Sequence, residues 1–248
     1  MKYDILIPAH EKDFSKLRFV YDSILKNLKG FDKFYCISNI KIPEALRISN
    51  VNYFTDDEVL DFDFSILKMQ KRVGWYRQQF IKHFQQVTGD NYLITESDNI
   101  YLKPVDIIED GKPTFLLGKD QNHAPYYQIT QKLFGFGREY PYSFINEVMY
   151  IKRDYINELV ALTPYNKYGY FNLIMTEINR MDEASGMSDY DLYGNFVAKY
   201  HPNEYNYKKV ETVVLSKHKE WTPEEIQQRI DLLSRSNNVM VKLHTWLS

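Results

Sequence analysis

The sequence predicts an α/β fold in which a mixed, mostly parallel sheet is flanked by helices, and three observations carry that expectation. Short apolar runs at residues 3–8 (YDILIP) and 91–95 (NYLIT) have the length and continuity of strands buried on both faces. Between them, apolar side chains recur at helical spacing over residues 14–28 and again over 75–87. Strand and helix patterns alternate through the first hundred residues, the order that produces parallel pairing through crossover helices.

Taken in order, the first strand ends at Pro8, and the first helix places Leu17, Val20, Tyr21, Ile24, Leu25 and Leu28 on one face, with Gly30 as its stop. Residues 33–40 and 51–54 are further strand candidates. The helix at 75–87 carries Phe80, Ile81, Phe84 and Val87, and the strand at 91–95 runs directly into Glu96-Ser97-Asp98. Beyond residue 100 the rhythm changes. Residues 101–105, 114–118 and 143–151 are strand-like with little helix between them, as in an α+β insertion on an α/β platform. Helices return at 154–162, 171–181, 190–200 and 223–233. No repeat, low-complexity tract or Pro/Gly/Ser-rich linker interrupts the chain, so one domain over residues 1–248 is expected, with a front half (about 1–105) and a back half (about 106–248).

Composition narrows the function classes. The 248 residues are 44% hydrophobic and 26% charged, as in ordinary globular proteins. The 31 basic and 33 acidic residues nearly cancel, so no whole-protein field would hold a nucleic acid or an anionic membrane, and no nucleic-acid partner is expected. The aromatic content of 16% reads first as burial area. A single cysteine, Cys36, excludes an intramolecular disulfide and cysteine-based zinc, and within FYCI it reads as a buried thiol. No stretch approaches the roughly 20 apolar residues of a membrane-spanning helix, and the N-terminal run lacks signal-peptide length. A cytoplasmic protein is the expectation.

In open α/β sheets ligands bind beyond the carboxyl ends of the strands. Glu96 and Asp98 stand at such an end. An acidic pair two residues apart, leaving a buried strand, can turn both carboxylates toward a hard divalent cation such as Mg²⁺ or Mn²⁺ that also takes phosphate oxygens. The same pair also reads as a solvated acidic turn. In SDYDLYG, Ser188 is placed to cap a helix whose first turn holds Asp189 and Asp191, acids that stabilise a helix start whatever else they do. Residues 135–138 (GFGR) lack the glycine spacing of a dinucleotide fingerprint.

The segment NYLITESDNIYLKP (91–104) resembles the acidic-x-acidic segment of GT-A glycosyltransferases, and YDILIPAHEKD at the start resembles the first strand and nucleotide loop of that superfamily. GWYRQQFIK (74–82) and SDYDLYG (188–194) are similar to two further segments of a bacterial and viral branch, so the resemblance spans most of the chain. It implies a Rossmann-like nucleotide-diphospho-sugar transferase fold, a nucleotide-sugar-binding front half and an acceptor-binding back half. It further implies a UDP- or GDP-linked sugar donor, Mn²⁺ or Mg²⁺ at a site centred on Glu96-Ser97-Asp98, and a carbohydrate acceptor. Glu96 stands where the pattern usually has Asp, which favours Asp98 as direct ligand and places Glu96 nearer the ribose or a metal-bound water. Pro8, His10 and Lys12 fall in the nucleotide loop, with a structural role for His10 equally open. Arg77 is matched to a phosphate and Gln78 to the nucleotide or sugar, unless both belong to a solvated helix face. His244 resembles the late histidine that completes metal coordination in several GT-A families. Transfer with inversion needs a general base near the anomeric carbon; Asp189 is the first candidate and Asp191 the second. Glu147 is an acceptor-binding candidate if its register turns it into the cleft.

Two other classes compete. A nucleotidyltransferase would usually show a glycine-rich phosphate loop after the first strand, and Pro8-Ala9-His10-Glu11-Lys12 has none. A non-catalytic carbohydrate-binding protein could keep the same fold without the site.

Overall fold

The computed structural model describes residues 2–68 and 71–245. The front half runs β1 (Tyr3–Ala9), α1 (Leu17–Asn27), β2 (Phe31–Ser38), β3 (Val51–Thr55), α2 (Asp56–Val59), α3 (Val73–Phe84), β4 (Asn91–Thr95) and β5 (Asn99–Tyr101). The back half continues with β6 (Ile108–Glu109), β7 (Lys112–Leu117), α4 (Ala124–Phe134), β8 (Val148–Lys152), α5 (Arg153–Ala161) and α6 (Lys167–Arg180). It ends with α7 (Asp189–Tyr200), β9 (Asn206–Lys209), β10 (Thr212–Lys217), α8 (Pro223–Leu233) and β11 (Met240–Thr245).

The main sheet has the order β3-β2-β1-β4-β8, parallel except for β8, which runs antiparallel to β4. This is the expected mixed, mostly parallel α/β sheet. Every residue of β1 is buried, and Leu6 sits in register between Tyr35 and Ile94, so this strand has no wet face and no use for a polar alternation. Ile5, Leu6, Leu93 and Ile94 are fully buried. Truncating one of them, as in Leu6→Ala, would remove about 2–5 kcal/mol. Pro8 is tolerated in a central strand because β4 pairs with β1 only at Asp4, Ile5 and Leu6. Beyond that point no neighbour on that side requires an N–H.

Two small sheets complete the frame. In one, β11 lies between β10, to which it is parallel, and β5, to which it is antiparallel. In the other, β7 pairs with β6 and β9. Cys36 is buried in β2, and burial pushes its thiol up to about 12. Among the described residues no helix is long and apolar enough to cross a membrane.

The sequence pattern misplaces some elements of the back half. Residues 143–151 are not one strand: β8 begins only at Val148, and residues 143–147 form a loop that ends on Glu147 in the left-handed region at φ 58°. The strand expected at 101–105 is β5, ending at Tyr101. Helix α4 was not expected, because its buried face is made by Ile129, Thr130 and Phe134 among Tyr, Gln and Lys. Strands β9, β10 and β11 were likewise not expected.

Candidate active site

Strand β4 delivers Glu96-Ser97-Asp98 to the carboxyl edge of the main sheet, where the chain turns sharply: the Asn99 N–H donates to the Glu96 carbonyl at 3.2 Å. Two other segments are tied to this turn through the backbone. The Glu147 carbonyl accepts from the Glu96 N–H at 3.3 Å and from Asn99 Nδ2 at 2.8 Å. The Leu243 N–H donates to the Asp98 carbonyl at 3.0 Å, which draws β11 and its His244 alongside. These bonds position two distinct side-chain clusters, one on each side of the triplet.

The first cluster is Asp98, Glu147 and His244, whose ligand atoms all lie within 4.8 Å of one another. His244 Nε2 is 3.6 Å from Glu147 Oε1 and 4.0 Å from Asp98 Oδ2, while Lys242 Nζ is 3.3 Å from Glu147 Oε2. Burial pushes the Asp98 carboxyl up to about 7, with the Glu147 and Asp13 carboxylates adding to the rise. Burial also works against the Glu147 charge, but His244 and Lys242 prevail and hold that carboxyl below its usual range. The hydrogen bond to Glu147 and the Asp98 carboxylate hold the His244 imidazole above its usual range. Ligands of an octahedral ion with bonds of about 2.1 Å lie about 3 Å apart when adjacent and about 4.2 Å when opposite. The two carboxylates and the imidazole are somewhat more widely spaced than that, and a small inward movement would let them converge on a divalent cation such as Mn²⁺.

The second cluster sets one ammonium between two carboxylates. Lys82, fully buried on α3, places Nζ 2.5 Å from Glu96 Oε1 and 3.2 Å from Asp189 Oδ2, with the Tyr190 ring centroid at 4.3 Å. Tyr190 donates its hydroxyl to Glu96 Oε1 at 2.7 Å, and Gln78 Nε2 donates to Oε2 at 3.1 Å. Gln79 Oε1 accepts the Asp189 N–H at 2.8 Å, fixing the start of α7 against α3. Burial lowers the Lys82 ammonium, yet the Asp189 and Glu96 carboxylates outweigh it and raise the group overall. Burial raises the Glu96 carboxyl in spite of Lys82.

The loop after β1 braces the Asp98 side of the turn. His10 caps a 3-10 helix at Glu11–Lys16, its Nδ1 accepting the Lys12 N–H at 3.4 Å. Lys12 Nζ donates to the Thr245 carbonyl at 3.1 Å. The fully buried Lys16 donates to Asp13 Oδ1 at 2.5 Å and to the Leu243 carbonyl at 2.6 Å, and Asp13 Oδ2 accepts from the Ser97 hydroxyl at 3.3 Å.

The structure thus brings Asp98 and His244 together, and puts Glu96, Gln78 and Asp189 in the adjoining cluster around Lys82. Arg77 turns toward α2, pairing with Asp56 Oδ2 at 3.3 Å and with Asp57, beside an open cavity of about 630 Å³. Asp191 spends its oxygens on the loop before β8: Oδ1 accepts from the Phe144 N–H at 2.7 Å and Oδ2 from the Tyr127 hydroxyl at 3.1 Å, with the Ser143 hydroxyl also in reach. Sequence reasoning passed over Lys82 and the metal-binding capacity of Glu147. The signal for Lys82 was its spacing, four residues after Gln78 on one helical face; for Glu147 there was none.

No protein-family model matches the chain, and no curated protein matches it. Among solved structures the chain is similar to an active-site mutant of LgtC, at 12% identity and a TM-score of 0.51, over 98% of this chain and 87% of that one. It is also similar to the galactosyltransferase LgtC in complex with donor and acceptor sugar analogs (13% identity, 98% and 87% covered, TM-score 0.48). Mouse xyloside xylosyltransferase 1 in its apo form is a third (14% identity, 98% and 97% covered, TM-score 0.42). The first likeness, together with the sheet order described above, gives the chain the GT-A glycosyltransferase fold.

Proposed function

We propose that this chain is a glycosyltransferase that moves a sugar from a nucleoside diphosphate sugar, UDP- or GDP-linked, to a hydroxyl of a carbohydrate acceptor. The observation that carries this is the convergence of Asp98 and His244 at the carboxyl end of a central strand in a GT-A fold. The diphosphate is the leaving group, and a divalent cation beside Asp98, Mn²⁺ or Mg²⁺ when bound, would offset the charge that develops on it. The front half, with Pro8 near the end of β1 and His10 and Lys12 after it, holds the donor, and the back half receives the acceptor within one domain.

Asp189 is buried 3.2 Å from Lys82 and next to Glu96, within the wall that adjoins the metal cluster. From there its carboxylate would take the proton of the attacking hydroxyl. Asp191, tied to Phe144 and Tyr127, holds the loop that carries Glu147. The test is binding of UDP-sugars and GDP-sugars with Mn²⁺ to the unmodified chain and to Asp98→Ala. Loss of donor affinity is expected, and unchanged affinity overturns the assignment. Asp189→Asn is expected to bind donor normally and to lose transfer; full turnover would remove Asp189 from the reaction.

A further inference from the structure

The triplet after β4 has two carboxylates, and the structure treats them differently. Glu96 already has its partners: Lys82 and Tyr190 at Oε1 and Gln78 at Oε2. An incoming cation would have to displace a buried ammonium to reach it. Asp98 has no such ammonium at its carboxylate, and its neighbours are a histidine and a third acid, Glu147. We propose that the cation is held by Asp98, Glu147 and His244, and that Glu96 stays on Lys82 and does not ligate the metal. This assignment rests on the donor-and-metal reading above and adds a ligand, Glu147, from a different segment of the chain.

Three features of Glu147 support it. Its backbone is in the left-handed region at φ 58°, a conformation side chains other than Gly, Asn and Asp seldom adopt and one that concentrates where function demands it. Its carbonyl is fixed from outside by the Glu96 N–H and the Asn99 amide, so the position is over-determined by the very turn that presents Asp98. Its two oxygens are divided: Oε2 faces Lys242 at 3.3 Å, and Oε1 faces His244 at 3.6 Å. His244 Nε2, Glu147 Oε1 and Asp98 Oδ2 form a triangle, so a cation entering it meets one nitrogen and two oxygens while Oε2 of Glu147 stays on Lys242. Lys242 then orients Glu147 as an outer partner, the role such groups play around metal-bound carboxylates.

Three protein ligands predict that Mn²⁺ binds without nucleotide. The experiment is titration of the purified chain with Mn²⁺ alone, followed by loss of the free-ion paramagnetic resonance signal, on the unmodified chain and on Glu147→Gln, Glu147→Gly and Glu96→Gln. Glycine suits a positive φ, so Glu147→Gly keeps the fold and its thermal midpoint is the check on folding. The expected result is one Mn²⁺ per chain, a loss of affinity of about 100-fold in both Glu147 variants, and a change of less than about threefold in Glu96→Gln. Equal affinity in the Glu147 variants, or loss in Glu96→Gln alone, overturns the proposal. Mn²⁺ retained only after UDP is added overturns the three-ligand site while leaving the donor assignment standing. No Mn²⁺ binding even with UDP or GDP present overturns both.

Discussion

Replacing Lys82 by Met tests the electrostatic core of the site. Its ammonium is 4% exposed and contacts Glu96, 12% exposed, and Asp189, 4% exposed, so Lys82→Met strands two buried carboxylates at once. Removing one partner of a buried ion pair costs about 3–5 kcal/mol, because the remaining charge keeps its desolvation penalty without its counter-charge. In a chain of this size each kcal/mol lowers the melting midpoint by about 2–4 °C, so a drop on the order of 10 °C is expected at pH 8. The pH dependence follows from Glu96, whose carboxyl is raised by burial even with Lys82 present and rises further without it. A carboxyl raised in the folded state favours folding fully only below its unfolded value, and that contribution is lost as pH climbs through the folded value. The gap between variant and unmodified chain should therefore be small near pH 5 and widen toward pH 8. Thermal and urea unfolding at several pH values measure it. The double variant Lys82→Met/Glu96→Gln should recover about half of the loss, since it removes one stranded charge. A drop of less than about 2 °C at pH 8, or a gap that does not change with pH, would refute the account of Lys82 as the internal counter-ion.

Two further outcomes are expected. A Cβ on Gly194 of α7 would come closer than 3.0 Å to three atoms of the buried Phe144 ring, so Gly194→Ala should overpack the core by about 1–3 kcal/mol, only partly offset by about 1 kcal/mol of helix propensity. A lower melting midpoint together with weaker Mn²⁺ binding is expected, because Phe144 anchors the loop that ends at Glu147; a raised midpoint would contradict it. The Asp191 carboxyl is pushed up to about 6 by burial, against an ordinary value of 3.8. Its folding contribution is thus present below pH 4 and lost by pH 7, a change of about 3 kcal/mol. In urea titrations Asp191→Asn should flatten that part of the pH profile, and an unaltered slope would show that Asp191 does not titrate in this range.

The parts of the fold that could be read from the sequence are those buried on both faces. Residues 3–8 and 91–95 show apolar runs because all of β1 and four of the five residues of β4 are buried, and α1 shows a clean 3.6-residue stripe because one face packs and the other is wet. Strand β10 escapes such reading because none of its six residues is fully buried, and its parallel pairing to β11 joins segments whose connection passes through α8. Asp98 could be picked out by its place after a buried strand. His244 was matched by resemblance, and its approach to Asp98 is set by tertiary pairing, of β11 with β5 and of the Leu243 N–H with the Asp98 carbonyl. Glu147 could be read only as an acceptor-binding candidate, and its place beside Asp98 and His244 could not be read. Within SFINEVMY it looks like a strand residue, and a left-handed conformation at a glutamate has no signature of the kind a glycine would supply.

The division of labour around Glu96-Ser97-Asp98 follows from where the protein supplies its own positive charge. On the Glu96 side a buried ammonium already stands between two carboxylates, and the wall carries oriented hydroxyl, amide and carboxylate groups from Tyr190, Gln78 and Asp189. Such a surface meets an uncharged polyol with hydrogen bonds and without a large desolvation penalty. On the Asp98 side Lys242 is engaged by Glu147, His244 is shared between two acids, and burial drives the Asp98 carboxyl up. A divalent ion held there would supply the positive charge that a diphosphate needs. The proposed donor has this same polarity, a neutral sugar joined to a diphosphate, and Glu96 and Asp98, one residue apart on a single turn, would each meet one end of it.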